Sequence, residues 1–154
     1  MLVSEVVESE TIHGSAVQQN GRGVLILGPS GSGKSSLCVR LIALGATLIA
    51  DDRIRLCRRG NAIFAEPPDQ LAGLIEARRI GIMRLPYQPG SIDLVVDLGR
   101  NETERLPPNR NTHVKHVLLP LVLGPLSDHL SNTIFLLLQG GHLVPDVELL
   151  PVKP

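Results

Sequence analysis

The chain has 154 residues, the size of one compact domain with one sizeable core. Hydrophobic residues make up 43% and charged residues 19%, which argues against disorder, and aromatics at 2% leave the core to Leu, Ile, Val and Ala. The formal net charge is zero and aromatic side chains for base stacking are few, so nothing points to nucleic acid as a partner.

The first eight residues include acidic side chains and no long apolar stretch, which does not read as a signal peptide. Residues 3–19 read as one or two strands turning near His13-Gly14, and Asn20-Gly21 is a turn signal. Gly23-Val24-Leu25-Ile26-Leu27 is a short apolar run expected of a buried parallel strand. Gly28-Pro29-Ser30-Gly31-Ser32-Gly33-Lys34-Ser35 follows, and residues 36–44 then place apolar side chains at helical spacing before a stop at Gly45. Residues 46–50 predict a second buried strand ending at Asp51-Asp52. Residues 54–57 and 62–65 predict a hairpin around Arg59-Gly60-Asn61. Pro67-Pro68-Asp69 predicts a short helical stretch through Ile75, and residues 76–89 read as a functional loop without a clean period. Residues 92–98 predict a third core strand, residues 101–111 a surface connection, and residues 117–123 and 133–138 further strands. The Pro-rich tail 140–154 is expected to be loosely held, and helices are expected to be few.

The longest apolar run, residues 117–126, is broken by Pro120 and Pro125 and is too short to span a membrane. Cys38 and Cys57 form no CxxC pair; Cys38 reads as a core residue of the first helix and Cys57 as a strand residue, in a reducing cytoplasm. The arginines within 53–59 and 78–84 read as solvated faces or as contacts to an acidic ligand or partner.

The chemistry centres on residues 28–35, which read GxxxxGKS. Glycines let such a loop curl so that successive N–H groups point inward at phosphate oxygens. Lys34 can reach the β- and γ-phosphates of a nucleotide, Ser35 can ligate Mg²⁺, and Ser36 opens a helix whose dipole favours anions. Phosphoryl transfer also needs a group that holds metal and one that accepts a hydroxyl proton. Asp51 and Asp52 sit at the carboxyl edge of a strand, where ligands bind in α/β sheets, and are the leading candidates. Asp97, at the end of Leu94-Val95-Val96, fits the same pattern, and pattern alone does not separate it from Asp51 and Asp52. Glu76 is a further candidate metal ligand, and His13 lies just upstream of the first core strand. No NKxD-type segment is present, which disfavours a GTPase.

With these residues in view, the chain resembles the C-terminal catalytic domain of the bacterial HPr kinase/phosphorylase family. The resemblance runs through Ile12-His13-Gly14, the 23–35 segment, Leu48-Ile49-Ala50-Asp51-Asp52-Arg53, Leu74-Ile75-Glu76-Ala77-Arg78-Arg79-Ile80-Gly81-Ile82, which looks like the family's signature loop, and Leu94-Val95-Val96-Asp97-Leu98. It implies a strand-rich α/β P-loop kinase domain related to phosphoenolpyruvate carboxykinase, occupying residues 1–154. It implies an ATP- and Mg²⁺-dependent protein serine kinase acting on HPr, the phosphocarrier of the sugar phosphotransferase system, with phosphorolytic removal of that phosphate as the family's second reaction. Asp52 would then be the base for the serine hydroxyl, with Asp51 and His13 beside it, Asp51 near metal or phosphate, Ser35 and Glu76 on Mg²⁺, and Arg78 on the transferred phosphate. The resemblance favours Asp51 and Asp52 over Asp97 and implies a homo-oligomer, a hexamer in the family.

The chain also departs from the family. It is similar to short versions made of the catalytic domain alone, as in alphaproteobacteria. Arg79 stands where a glycine is usual. Leu121-Val122-Leu123-Gly124-Pro125-Leu126-Ser127-Asp128 occupies the neighbourhood of the family's late basic loop without an arginine. The other readings of the same residues are a small-metabolite kinase with an arginine lid and a nucleotide sensor without turnover.

Overall fold

The computed structural model describes residues 9–144. The start of the strand expected from residue 3, and the tail from 145 to 154, lie outside the described residues. Strands β1 (Ser9–His13), β2 (Ser15–Gln19) and β3 (Arg22–Leu27) lead into helix α1 (Lys34–Leu44). Strands β4 (Thr47–Ala50), β5 (Arg53–Arg59), β6 (Ala62–Glu66), β7 (Leu74–Ala77), β8 (Gly81–Arg84) and β9 (Gly90–Ile92) follow. The described chain closes with β10 (Leu94–Asn101), β11 (Arg110–Val114), β12 (Val117–Gly124) and helix α2 (Asp128–Leu138). The strand-rich α/β class with few helices is therefore the observed one.

Three sheets result. A six-stranded sheet runs β11-β12-β10-β3-β2-β4, a four-stranded sheet runs β1-β5-β6-β9, and β7 with β8 makes a separate hairpin. Successive side chains of a strand point to opposite faces. Val24 and Ile26 of β3, with Val96 of β10, join Leu37, Cys38, Leu41, Leu130, Ile134 and Leu138 of the helices in one core. Leu25 and Val95 point the other way and join Ile54, Leu56, Ile63 and Ala65 of the four-stranded sheet in a second core. The centre of the six-stranded sheet is thus buried on both faces, which is why β3 and β10 read as continuous apolar runs rather than alternating ones.

Several sequence expectations give way. β3 is parallel to β10 on one side but antiparallel to β2 on the other, so it is a strand of a mixed sheet. The helical stretch expected through Ile75 shrinks to one 3₁₀ turn at Asp69–Leu71, and Leu74 and Ile75 already belong to β7. The expected loop at 76–89 contains the β7–β8 hairpin, with Glu76 paired to Ile82. The strand expected over 92–98 is split at Asp93, whose carboxylate accepts from the Gly23 amide at 3.0 Å and from Ser91 Oγ at 3.1 Å. Residues 133–138 form part of α2, not a strand. Ser127 caps that helix by accepting from the Leu130 amide at 3.0 Å, and Leu130, Ile134 and Leu138 recur at helical spacing against the sheet. Among the described residues no helix is long and apolar enough to cross a membrane.

Candidate active site

The loop from Gly28 to Gly33 leaves the carboxyl end of β3 and enters α1 at Lys34. Its path depends on glycine. Gly28 has φ 149°, and a Cβ built there would lie 2.5 Å from Ser32 Oγ. Gly33 caps α1 at φ 106°, and no acidic residue occupies the first turn, so the positive end of the helix is left for an outside anion. Lys34 Nζ lies over the loop, donating to the Gly28 carbonyl at 2.8 Å and the Pro29 carbonyl at 3.2 Å.

A cleft of about 630 Å³ opens above this loop, within the size range of small-ligand sites. Besides Gly28, Pro29, Ser30, Gly31, Gly33, Lys34, Ser35 and Ser36, its walls carry His13, Asp52, Glu76 and Arg78. Those four arrive from separate parts of the chain. His13 ends β1, Asp52 lies between β4 and β5, Glu76 is in β7, and Arg78 is in the turn that follows. Among the described residues none of these four side chains is held in a hydrogen bond or ion pair.

Asp51 does not line the cleft. It is buried at 5% exposure, directly beneath the loop helix. Its Oδ1 accepts from Ser35 Oγ at 2.8 Å and from Ser15 Oγ at 2.7 Å, and its Oδ2 accepts from the Glu76 amide at 3.2 Å. Three elements are therefore anchored on one carboxylate. Asp52, its neighbour, is exposed. The chain turns sharply there: the Arg53 amide donates to the Asp51 carbonyl at 2.7 Å, across an Asp52 at φ 67°. A three-residue turn with its central residue at positive φ is the strained, less common kind. It ends β4 and turns the two carboxylates apart, one inward under Ser35 and one outward into the cleft.

Asp97 does not join these residues. It pairs with Leu27 across β10 and β3, and its Oδ1 accepts from the Gly99 amide at 2.8 Å. It is absent from the cleft wall. Cys38, beneath the site, has its thiol pushed well above the ordinary value, first by burial and then by the Asp51 charge, with the Ser15 hydroxyl acting in the opposite direction. It is a neutral core thiol rather than a nucleophile. Ser15, at 0% exposure, was not singled out by the sequence. The one signal was a hydroxyl standing at the head of the apolar Ala16-Val17 pair, two residues after His13.

The groups present fit a phosphate-bearing ligand with a divalent cation. Ser32 Oγ is buried with no hydrogen-bond partner, inside a loop whose geometry suits oxyanions. Among the described residues no group of three or more His, Cys, Asp or Glu side chains could hold a metal alone. Mg²⁺ takes one or two protein oxygens and completes its shell with waters and phosphate oxygens. Ser35 and Glu76 both line the cleft and could provide such oxygens.

Comparison with known proteins bears on the same residues. Residues 4–113 match the family described as HPr Serine kinase C-terminal domain. The HPr kinase/phosphorylase of Peptoclostridium acidaminophilum is 39% identical over 94 residues, 59% of this chain and 30% of that protein. That of Enterococcus faecalis is 46% identical over 74 residues, 47% of this chain and 24% of the relative. The chain thus spans less than a third of the length of these curated relatives. The solved structure of the HPr(Ser) kinase/phosphatase from Coxiella burnetii superposes with a TM-score of 0.71 at 26% identity, covering 84% of this chain and 94% of that one. The matched stretch contains the glycine loop, the aspartate doublet and the Glu76 hairpin together, and on that ground the chain belongs to the HPr serine kinase C-terminal domain family.

Proposed function

We propose that this chain is the catalytic domain of an ATP- and Mg²⁺-dependent protein serine kinase that phosphorylates an HPr-like phosphocarrier in a reducing cytoplasm. The observation that carries the reading is the convergence of Lys34, Ser35, Asp52 and Glu76 on one cleft above a phosphate-binding loop. The relatives named HPr kinase/phosphorylase support the acceptor.

In this reading the loop amides and Lys34 hold the β- and γ-phosphates of ATP. Bound Mg²⁺ would offset the negative charge on those phosphates, held by Ser35 and Glu76. The Asp52 carboxylate removes the proton of the acceptor hydroxyl. The hydroxyl oxygen then bonds to the γ-phosphorus as the bond from that phosphorus to the β–γ bridging oxygen breaks, and ADP leaves with the electron pair. His13 and Arg78 flank the acceptor and the transferred group. Asp51 acts from beneath, by orienting Ser35. Assembly as a homo-oligomer, and phosphorolysis by inorganic phosphate, belong to the same proposal.

Incubation with labelled ATP, Mg²⁺ and HPr tests it. Label is expected on an HPr serine, with the rate falling about 10²–10⁴-fold in Asp52→Asn if that carboxylate is the general base. Absence of label from the unmodified chain sinks the acceptor. An undiminished rate in the variant sinks the base.

A further inference from the structure

Ser15 stands at the head of β2, wholly buried, and touches both aspartates. A serine hydroxyl has one proton to give and lone pairs with which to receive. Ser15 gives its proton to Asp51 Oδ1 at 2.7 Å and receives the Asp52 amide at 3.3 Å. The preceding residue grips the same turn from its other end, the Gly14 amide donating to the Asp52 carbonyl at 3.1 Å. Asp52 is thereby held at both of its backbone polar groups while it sits at φ 67°. A non-glycine residue persists in that region only when its surroundings fix it.

The effect on Asp51 is as specific. Oδ1 has room for two hydrogen bonds in the carboxylate plane, and Ser15 and Ser35 take both. With the Ser15 bond in place the carboxylate does not swing, and the Ser35 proton has one destination. Ser35 Oγ then turns its lone pairs away from Asp51, toward the cleft, where a cation can use them.

We infer that Ser15 is a positioning residue that couples the two aspartates, fixing Ser35 through Asp51 and the acceptor-facing turn through the Asp52 amide. The inference rests on the roles proposed above for Ser35 and Asp52.

Two measurements separate its failure from theirs. The first is calorimetry of ADP binding with and without Mg²⁺, on the unmodified chain, S15A, S35A and the double variant. S15A is expected to cut the Mg²⁺-dependent gain in affinity about tenfold, as loss of an outer-layer partner does at metal sites, with Mg²⁺-free binding unchanged. In the S35A background, S15A should cost nothing further, because the chain through Asp51 is already broken. Retention of the gain in S15A, or a full additional loss on top of S35A, overturns the coupling to Ser35. The second is amide hydrogen exchange at Asp52, which needs no nucleotide and is expected to accelerate roughly five- to tenfold in S15A, the worth of one hydrogen bond. Unchanged exchange overturns the coupling to Asp52, whether or not the chain binds nucleotide. If S15A does not fold, S15C fills the same space with a weaker donor and is read in the same way.

Discussion

Ser35 Oγ meets Asp51 Oδ1 at 2.8 Å beneath the loop, so this cleft-lining serine takes its orientation from a buried carboxylate rather than from solvent. An asparagine in place of Asp51 keeps the volume but supplies a single acceptor atom. Its amide group would face either the Glu76 N–H or the two serine hydroxyls. One buried donor is then left unpaired, at a cost of about 1–3 kcal/mol. Asp51→Asn is expected to lose that much stability in chemical denaturation and to weaken Mg²⁺-dependent nucleotide binding. Equal stability and equal binding would remove Asp51 from the site.

Asp52 carries two separable properties, a carboxylate and a left-handed backbone. Both Asp52→Ala and Asp52→Gly delete the carboxylate, so both should abolish most phosphoryl transfer. They differ in the backbone, since alanine disfavours positive φ by roughly 1–2 kcal/mol and glycine does not. The glycine variant is expected to unfold at the higher temperature of the two. If the alanine variant matches or exceeds it, the turn at Asp52 is not strained.

The parts of this fold that were legible in the sequence are those fixed by local chemistry. The loop needs glycines at set places and a helix behind it, and residues 28–35 show both. β3, β4 and β10 are buried on both faces, so their apolar runs stand out. The rest depended on distant partners. Thr133-Ile134-Phe135-Leu136-Leu137-Leu138 is rich in strand-favouring residues at its start, yet the Ser127 cap and packing of α2 on α1 and the sheet prevail. The β7–β8 hairpin was hidden because its turn places an arginine, Arg79, at positive φ, and the first glycine comes only at Gly81, where β8 begins. Adjacent aspartates cannot be told apart by pattern. Only the sharp turn between β4 and β5 sends one beneath Ser35 and the other into the cleft. Ser15 matters through contacts with residues 36 and 37 positions away in sequence, which no local rule reveals.

Arg79 sits in that hairpin turn at φ 67°, exposed and outside the cleft wall. Glycine adopts that φ without penalty. Arg79→Gly removes a left-handed penalty of roughly 1–2 kcal/mol and adds unfolded-state freedom worth about 0.5–1 kcal/mol. The net expectation is a gain of about 0.5–1 kcal/mol with phosphoryl transfer retained. Denaturant midpoints of the two chains check it; a loss of stability would show that the arginine side chain outweighs its backbone strain.

Away from the cleft, Glu102 and Arg110 tie the connection after β10 to β11 by a two-pronged ion pair, Nε to Oε1 at 2.8 Å and Nη2 to Oε2 at 3.0 Å. The Arg110 hydrogen bond is the main reason the Glu102 carboxyl is lowered from 4.5 to about 2, against the opposing pull of desolvation. A carboxyl lowered in the folded state favours folding in its ionised form. The contribution is whole above pH 4.5 and is lost as pH falls toward about 2. NMR titration of the Glu102 carboxyl is expected to give a midpoint near 2, moving back toward 4.5 in Arg110→Gln. The stability of Glu102→Gln should correspondingly fall less steeply than that of the unmodified chain across that acid window. A Glu102 midpoint indifferent to the loss of Arg110 would assign the lowering to the Thr103 and Glu104 amides, which donate to Oε2 at 3.1 and 3.3 Å, and would leave the ion pair without a part in acid stability.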